Sequence, residues 1–220
     1  MEDGTEIGSR LAALDTAALS DALDRLGIDG QAIGIAPTAG PAELVGRAFT
    51  VRMLPVGTRG GSVGDYIDDV PPGHVVVIDN QGRADQTVWG DILTSVASRT
   101  GVAGTVIDGV CRDTARAAEL EYPIFARGST MRTGKDRASA EGYNEAVQLA
   151  GVRVEPDDWL RGDADGVIVV PASHLSEVIE IAEEIARVED LIRSRTANGE
   201  SLREVRAEVG YHRLQSRPVP

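Results

Sequence analysis

Five consecutive segments decide the fold: HVVVID at residues 74–79, DILTSVASRTG at 91–101, GTVIDG at 104–109, DTARAAELEY at 113–122 and PIFARG at 123–128. The first, third and fifth are short apolar runs rich in β-branched residues, as expected of buried strands. The second and fourth carry apolar residues at helical spacing, and Gly101 can close the first of them. Strand and helix therefore alternate, which predicts parallel βαβ units. In such units ligands gather beyond the carboxyl ends of the strands. Those ends are 79–81, 108–113 and 126–129.

On the amino-terminal side, DTAALSDALDRLG (15–27) predicts a helix. Asp15 or Thr16 can cap it, Leu19, Ala22, Leu23 and Leu26 form its apolar stripe, and Gly27 can end it. Residues 28–42 are rich in Gly, Pro and Ala and read as loop. Arg47–Met53 reads as a strand and Val63–Val70 as a short helix. Between them Thr58–Gly64, TRGGSVG, looks flexible but lacks the lysine and spacing of a P-loop. On the carboxyl-terminal side, 130–150 reads as polar loop with some helix in AEGYNEAVQLA (140–150). Strands GVRVEP (151–156) and DGVIVVP (165–171) follow, joined by the turn-rich DDWLRGDAD (157–165). These extra strands exceed what a simple doubly wound domain needs. A long amphipathic helix runs from Ser173 to Ala197, with Leu175, Val178, Ile179, Ala182, Ile185, Val188 and Ile192 on its apolar face. Ser201 and Glu204 have capping-box spacing for a final short helix, and 211–220 read as a tail.

The chain has 220 residues, enough for one substantial core, and its 22 Lys and Arg against 35 Asp and Glu leave a net charge of −13. That balance argues against nucleic-acid binding, which needs a basic surface. Cys111 is the only cysteine, so an intramolecular disulfide and a zinc–cysteine cluster are excluded. MEDGTEIGSR at the start has no apolar core of a signal peptide, and no apolar run approaches a membrane span. The expected location is the cytoplasm.

Two short stretches can carry chemistry. At Gly90–Asp91–Ile92–Leu93 a helix opens after a loop, and its free N–H groups and dipole can receive a small carboxylate. Asp91 could equally be a simple cap. At 108–113, DGVCRD ends a strand. Arg112 could clamp a carboxylate or polarise a carbonyl oxygen, and Asp113 could bind a hard divalent cation. The plainer alternative is a cap at Asp113 and a surface ion pair for Arg112. Cys111 reads as a small buried residue rather than a nucleophile. His74, His174 and His212 lack metal-site spacing; His74 and His174 suit turns or caps. Glu189 lies in register with the apolar face of the long helix. It could face a subunit interface or metal site, or sit at a solvated edge if the stripe drifts to Val188 and Leu191. Lys135, the only lysine, falls in a polar loop, so no Schiff-base lysine is evident.

The spacing Asp91, twenty residues, Arg112, Asp113, set in WGDILTSVASRTGVAGTVIDGVCRD, resembles the class II pyruvate aldolase family of 4-hydroxy-4-methyl-2-oxoglutarate/4-carboxy-4-hydroxy-2-oxoadipate aldolase. That superfamily also holds the RraA-type regulators of ribonuclease E. LSDALDRLG, GRAFTVR, PPGHVVVID, PIFARG and GDADGVIVVP extend the resemblance over most of the chain. It implies an α/β fold, a swivelling β/β/α domain with central βαβ units, additional strands and a long C-terminal helix. Residues 1–203 would form one domain, and 204–220 a helix end and tail. The assembly would be a homotrimer or a dimer of trimers. Asp113 would be the direct ligand of Mg2+ or Mn2+, and Asp91 would hold a water of the ion's shell. Arg112 would bind and polarise the pyruvyl oxygen, and the N–H groups of Ile92 and Leu93 would receive the pyruvyl carboxylate. Glu189 would approach a neighbouring subunit's metal through water.

The implied activity is retro-aldol cleavage of a 4-hydroxy-2-oxo diacid, or decarboxylation of oxaloacetate, through a pyruvate enolate. The alternative is a non-catalytic regulator that binds a ribonuclease or another protein. A methyltransferase is disfavoured, since no glycine-rich cofactor loop followed by an acidic ribose-binding residue is present. The sequence departs from the family at TRGGSVG, where an acidic-amide loop is expected, and at VEPDD, where Pro-Asp-Asp replaces Pro-Gly-Asp.

Overall fold

The computed structural model describes residues 4–58 and 60–211. Four parallel strands form its centre: β2 (Leu44–Pro55), β3 (His74–Thr87), β4 (Gly104–Cys111) and β5 (Ile124–Ser129). Antiparallel strands flank them. β1 (Ala36–Ala39) pairs with β5, while β9 (Trp159–Asp163) pairs with β2 and β10 (Gly166–Val170) with β9. The order is β1-β5-β4-β3-β2-β9-β10, with β6 (Ala138–Tyr143) on the far part of β2. Gly30, Gln31 and Ala32, just before β1, bond to β10, so the sheet nearly closes on itself.

The alternation of side chains along each strand sorts the apolar residues into three clusters. Val75, Val77, Val106, Phe125, Leu160 and Val169 fill the inside of the closed sheet. The hairpin of β7 (Val147–Leu149) and β8 (Val152–Val154) packs with them. Outside, Val76, Ile78, Ile107 and Ile124 pack with Ala97 of α3 (Asp91–Thr100) and Ala117 of α4 (Thr114–Glu119). On the other outer face, Ile168 and Val170 meet α1 (Gly4–Ala12), α2 (Thr16–Leu26) and α5 (Leu175–Ala197). The expected α/β class and the long C-terminal helix are therefore present, and the strand–helix alternation over 74–128 is found as read.

Local signals explain the helix ends. The Asp15 carboxylate accepts from the Ala18 N–H at 2.7 Å, and Gly27 closes α2 in the left-handed region. Gly101 ends α3 in the same way. α6 (Leu202–Glu208) begins after Ser201, but the Ser201 side chain makes no cap bond. Residues 212–220 of the expected tail, with His212, lie outside the described residues.

Three expectations are corrected. Residues 130–150 hold strands β6 and β7 and no helix; Ala138, Ser139 and Ala140 are small and buried, and pair with the exposed edge of β2. The DDWLRGDAD segment is not a turn-rich joint, because Trp159–Asp163 is a fully buried strand. Its charged residues are tolerated because each is satisfied. Asp158 accepts from the N–H groups of Glu155 and Ala172. Asp163 accepts from the N–H and hydroxyl of Thr16, both at 2.7 Å, and from Asp165 N. Arg161 donates to Leu14 O and Glu43. Third, the 28–42 loop contains β1. Helix α1 was not anticipated at all; only Ile7 and Leu11 are buried along it. At VEPDD, Asp157 takes a φ of 68°, the left-handed conformation for which glycine is best suited.

Candidate active site

The site forms where β4 ends and α3 begins. The Arg112 N–H donates to Trp89 O at 3.0 Å, which ties the chain leaving β4 to the residue before the helix cap, Gly90. Asp113 then turns at φ 56° and ψ 37°. Few residue types accept this left-handed geometry, and Asp is one of them. The Asp113 carboxylate does not cap α4. Instead Oδ2 lies 3.2 Å from the Asp91 N–H and 3.2 Å from Arg112 Nε. Gly90 makes this possible: a Cβ there would stand 2.8 Å from Asp113 Oδ2 and 3.1 Å from Arg112 Nε.

The first turn of α3 is fixed from beneath. Trp89 Nε1 donates to Thr94 Oγ1 at 2.9 Å, and Thr94 Oγ1 donates to Gly90 O at 2.9 Å. Trp89 also stacks on Tyr122 with an interplanar angle of 5°. The Thr94 N–H bonds to Gly90 O, so the N–H groups of Asp91, Ile92 and Leu93 precede the helical ladder. The Asp91 N–H goes to Asp113. The Ile92 N–H goes to the Asp91 carboxylate at 2.8 Å. Among the described residues only the Leu93 N–H of these three has no acceptor.

A cleft of about 570 Å³ opens onto this turn. Gly90, Asp91, Ile92, Leu93 and Arg112 form one wall, and Gly61, Ser62, Val63 and Gly64 another. Thr133, Gly134 and Lys135 complete it. The fold thus brings Gly90, Asp91, Ile92, Leu93, Arg112 and Asp113 together, with Asp113 beside the wall rather than in it. Asp91 is not the cap; it is the first helical residue, after Gly90.

Glu189 is not brought to this cleft within the chain. It sits on α5, where Arg193 pairs with it at 3.3 Å and Tyr211 donates to it at 3.3 Å. Cys111 is fully buried, and burial pushes its thiol up to about 11, which removes it as a nucleophile at neutral pH. His74 contacts Pro72 O and Asp157, and His174 contacts Ser173, in agreement with turn and cap roles. Sequence reading missed Lys135, Ser62, Trp89 and Thr94. Gly134 beside Lys135 was the one available sign, since a Cβ there would meet Thr87 O at 2.2 Å.

A divalent ion can be tested against this donor set. Among the described residues no group of three His, Cys, Asp or Glu side chains is arranged to hold a metal. Asp113 and Asp91 are the carboxylates at this turn, and Asp65 and Asp68 also line the cleft. Asp113 Oδ2 is engaged, whereas Oδ1 receives no hydrogen bond among the described residues and the side chain is 38% exposed. Two partly exposed carboxylates suit a hard cation that keeps most of its waters, as Mg2+ does, and not one that needs a protein cage.

The class defined by this fold and site is an α/β protein with a carboxylate–arginine cleft at the carboxyl end of a parallel sheet. The model of the RraA-like family, described as Aldolase/RraA, matches residues 16–169, and the chain belongs to that family. It is 36% identical over 205 residues to the Legionella pneumophila protein DlpA, covering 92% of this chain. The chain spans about a third of DlpA's length, 33%. A Halalkalibacterium halodurans protein, provisionally named 4-hydroxy-4-methyl-2-oxoglutarate aldolase, is 32% identical over 80% of this chain and 81% of its own. The crystal structure of Streptomyces coelicolor RraAS2, titled an unusual member of the RNase ES inhibitor RraA family, superposes with a TM-score of 0.80. Its identity is 29%, and the match covers 87% of this chain and 97% of that one.

Proposed function

We propose that the chain is a divalent-metal-dependent lyase that forms a pyruvate enolate. Its substrates would be a 4-hydroxy-2-oxo diacid of the 4-hydroxy-4-methyl-2-oxoglutarate type, cleaved by retro-aldol reaction, and oxaloacetate, decarboxylated. The observation that carries this reading is the opening of Arg112 and the first turn of α3 into one cleft. Both reactions develop negative charge on the same pyruvyl oxygen, and both need a fixed cation there. Arg112 supplies it. Asp113 holds its Nε, and its terminal nitrogens make no ion pair among the described residues.

The pyruvyl carboxylate would dock on the Leu93 N–H at the positive end of the helix. The Ile92 N–H would join once Asp91 releases it. Lys135 adds a second positive charge for the distal carboxylate. Asp113 and Asp91 would hold Mg2+ or Mn2+, which when bound supplies Lewis acidity at the reacting oxygens. Asp91 would also move a proton in the cleft.

The test follows pyruvate through a coupled dehydrogenase with either substrate, before and after chelation and re-addition of Mg2+ or Mn2+. Arg112→Ala should lose about 10²–10³ in kcat, the usual scale for one oxyanion donor. No metal-dependent pyruvate from any such substrate, or full activity in Arg112→Ala, would refute the proposal. The likeness to RraAS2 supports a second reading, a non-catalytic regulator. That reading requires partner binding to survive Asp113→Ala and no pyruvate to form.

For the assembly we propose a homotrimer or a dimer of trimers, in which Glu189 meets a neighbour's site. Its test is the mass in solution. No helix among the described residues is long and apolar enough to cross a membrane. The expected location remains the cytoplasm.

A further inference from the structure

A second concavity, of about 430 Å³, is lined by Pro55, Arg83, Asp85, Gln86, Arg132 and Arg137. Three guanidiniums share it with one carboxylate, in a chain whose acids outnumber its bases by 13. That imbalance runs against the composition. Among the described residues Arg83 and Arg137 make no ion pair with a carboxylate, and Arg132 makes only a long one. Arg83 reaches only the Gln81 side-chain oxygen, at 3.2 Å. Arg137 donates to the carbonyls of Thr133 and Lys135. Arg132 donates to Asp85 O at 3.4 Å and lies 3.9 Å from the Asp85 carboxylate, the outer limit of an ion pair. Asp85 is itself occupied: the Gln86 amide nitrogen, in the orientation that satisfies both groups, donates to its oxygens at 2.6 and 2.7 Å.

We infer that this concavity is a binding site for a short dicarboxylate, distinct from the pyruvyl cleft. The guanidiniums come from two segments. Arg83 lies on β3, whereas Arg132 and Arg137 lie on the connection between β5 and β6. A ligand with an anionic group at each end can engage both segments. Planar guanidiniums match carboxylates through paired N–H groups, and the volume leaves room for a few methylenes against Pro55. A second observation ties the site to the fold. The Thr87 N–H bonds to Arg132 O at 2.9 Å, and Thr87 bridges Thr133. The 132–137 connection thus gives Thr133, Gly134 and Lys135 to the cleft and Arg132 and Arg137 to the arginine pocket. Nothing in this inference depends on the lyase reading.

Succinate is the probe, followed by titration calorimetry on the full chain carrying Arg112→Ala, which removes the cleft's own guanidinium. Saturable one-to-one uptake is expected, weakening with added salt. Arg83→Gln should weaken it at least threefold, and Arg83→Gln with Arg137→Gln at least tenfold, with circular dichroism unchanged. Arg83→Gln alone decides the matter if the double variant does not fold, because among the described residues the Arg83 side chain hydrogen-bonds only to Gln81. Three results would overturn the inference: no saturable uptake, uptake undiminished in Arg83→Gln, or inorganic phosphate binding as tightly with the same arginine dependence.

Discussion

Replacing Gly90 with alanine should damage catalysis while leaving the fold intact. Gly90 has φ −154° and ψ −166°, extended backbone that alanine adopts without strain. The added Cβ would stand 2.8 Å from Asp113 Oδ2, against the 3.4 Å at which ordinary contact begins. The carboxylate must therefore retreat by about 0.6 Å, the difference between those distances. Arg112 Nε, at 3.1 Å, must give by about half as much. Both are ends of half-exposed side chains, so stability should change by under ~0.5 kcal/mol and the thermal midpoint by no more than about 2 °C. Catalysis is less tolerant: a displacement near 1 Å costs about 10²-fold. Gly90→Ala should lower kcat/KM for pyruvate formation by about 10–100-fold, equivalent to ~1.4–2.7 kcal/mol of barrier. The assay is the coupled pyruvate measurement, run beside thermal denaturation. Activity within threefold of wild type at an unchanged midpoint would refute the claim that the Asp113–Arg112 geometry matters.

Lys135→Gln should raise KM for a diacid several-fold and leave kcat within twofold, since Lys135 lines the cleft but belongs to a different segment from Arg112; steady-state kinetics decide it. Asp163→Asn should cost about 1–3 kcal/mol at pH 7 in urea unfolding, the scale of lost buried charge-assisted bonds. Burial alone would raise the Asp163 pKa, but the Thr16 N–H and hydroxyl, the Asp165 N–H and Arg161 together hold it below the ordinary value. A lowered folded-state pKa gives stability that is full above about pH 3.9 and lost as pH falls through the folded value. The gap between wild type and Asp163→Asn should therefore narrow below about pH 3.9, and a gap that widens there would contradict the assignment. Cys111 should resist iodoacetamide in the native protein at pH 8 and react fully in denaturant, as mass spectrometry would show.

What was legible in the sequence was what repeats with a fixed period. The VVVI and TVI runs and the helical spacing between them need only local pattern to read, and residues 74–128 fold as that pattern dictates. The caps at Asp15, Gly27 and Gly101 are equally local. Legibility failed where tertiary partners override composition. Trp159–Asp163 contains Arg, Gly and Asp, yet it is a buried strand because Leu14, Thr16 and Glu43, far away in the chain, satisfy its charges. Ala138–Tyr143 has weak strand propensity and is placed by the edge of β2. At the site, the D-x20-R-D spacing picked out residues that the fold brings together at one turn. It could not show that Asp91 would occupy the Ile92 N–H, nor that Lys135 would line the cleft. Those facts depend on a side-chain rotamer and on the path of one connection.

The charge of −13 poses a question that the geometry answers in part. An anionic diacid would approach a strongly acidic chain, and the mean field should repel it. Yet the field of distant exposed charges is screened beyond about 8–10 Å at physiological salt. The cleft wall itself offers Arg112, Lys135 and the start of α3, against Asp65, Asp68 and Asp91. With Asp113 beside the wall, the protein side of the cleft is net negative, and binding of a dianion needs a further positive source. A divalent ion at Asp113 would provide it and reverse the sign of the potential at the pyruvyl end. On this reasoning the Kd of an unreactive diacid should rise with salt in the metal-loaded chain, whose site attracts it, and far less in the metal-free one. Equal salt dependence in the two forms would show that the protein's own cations suffice.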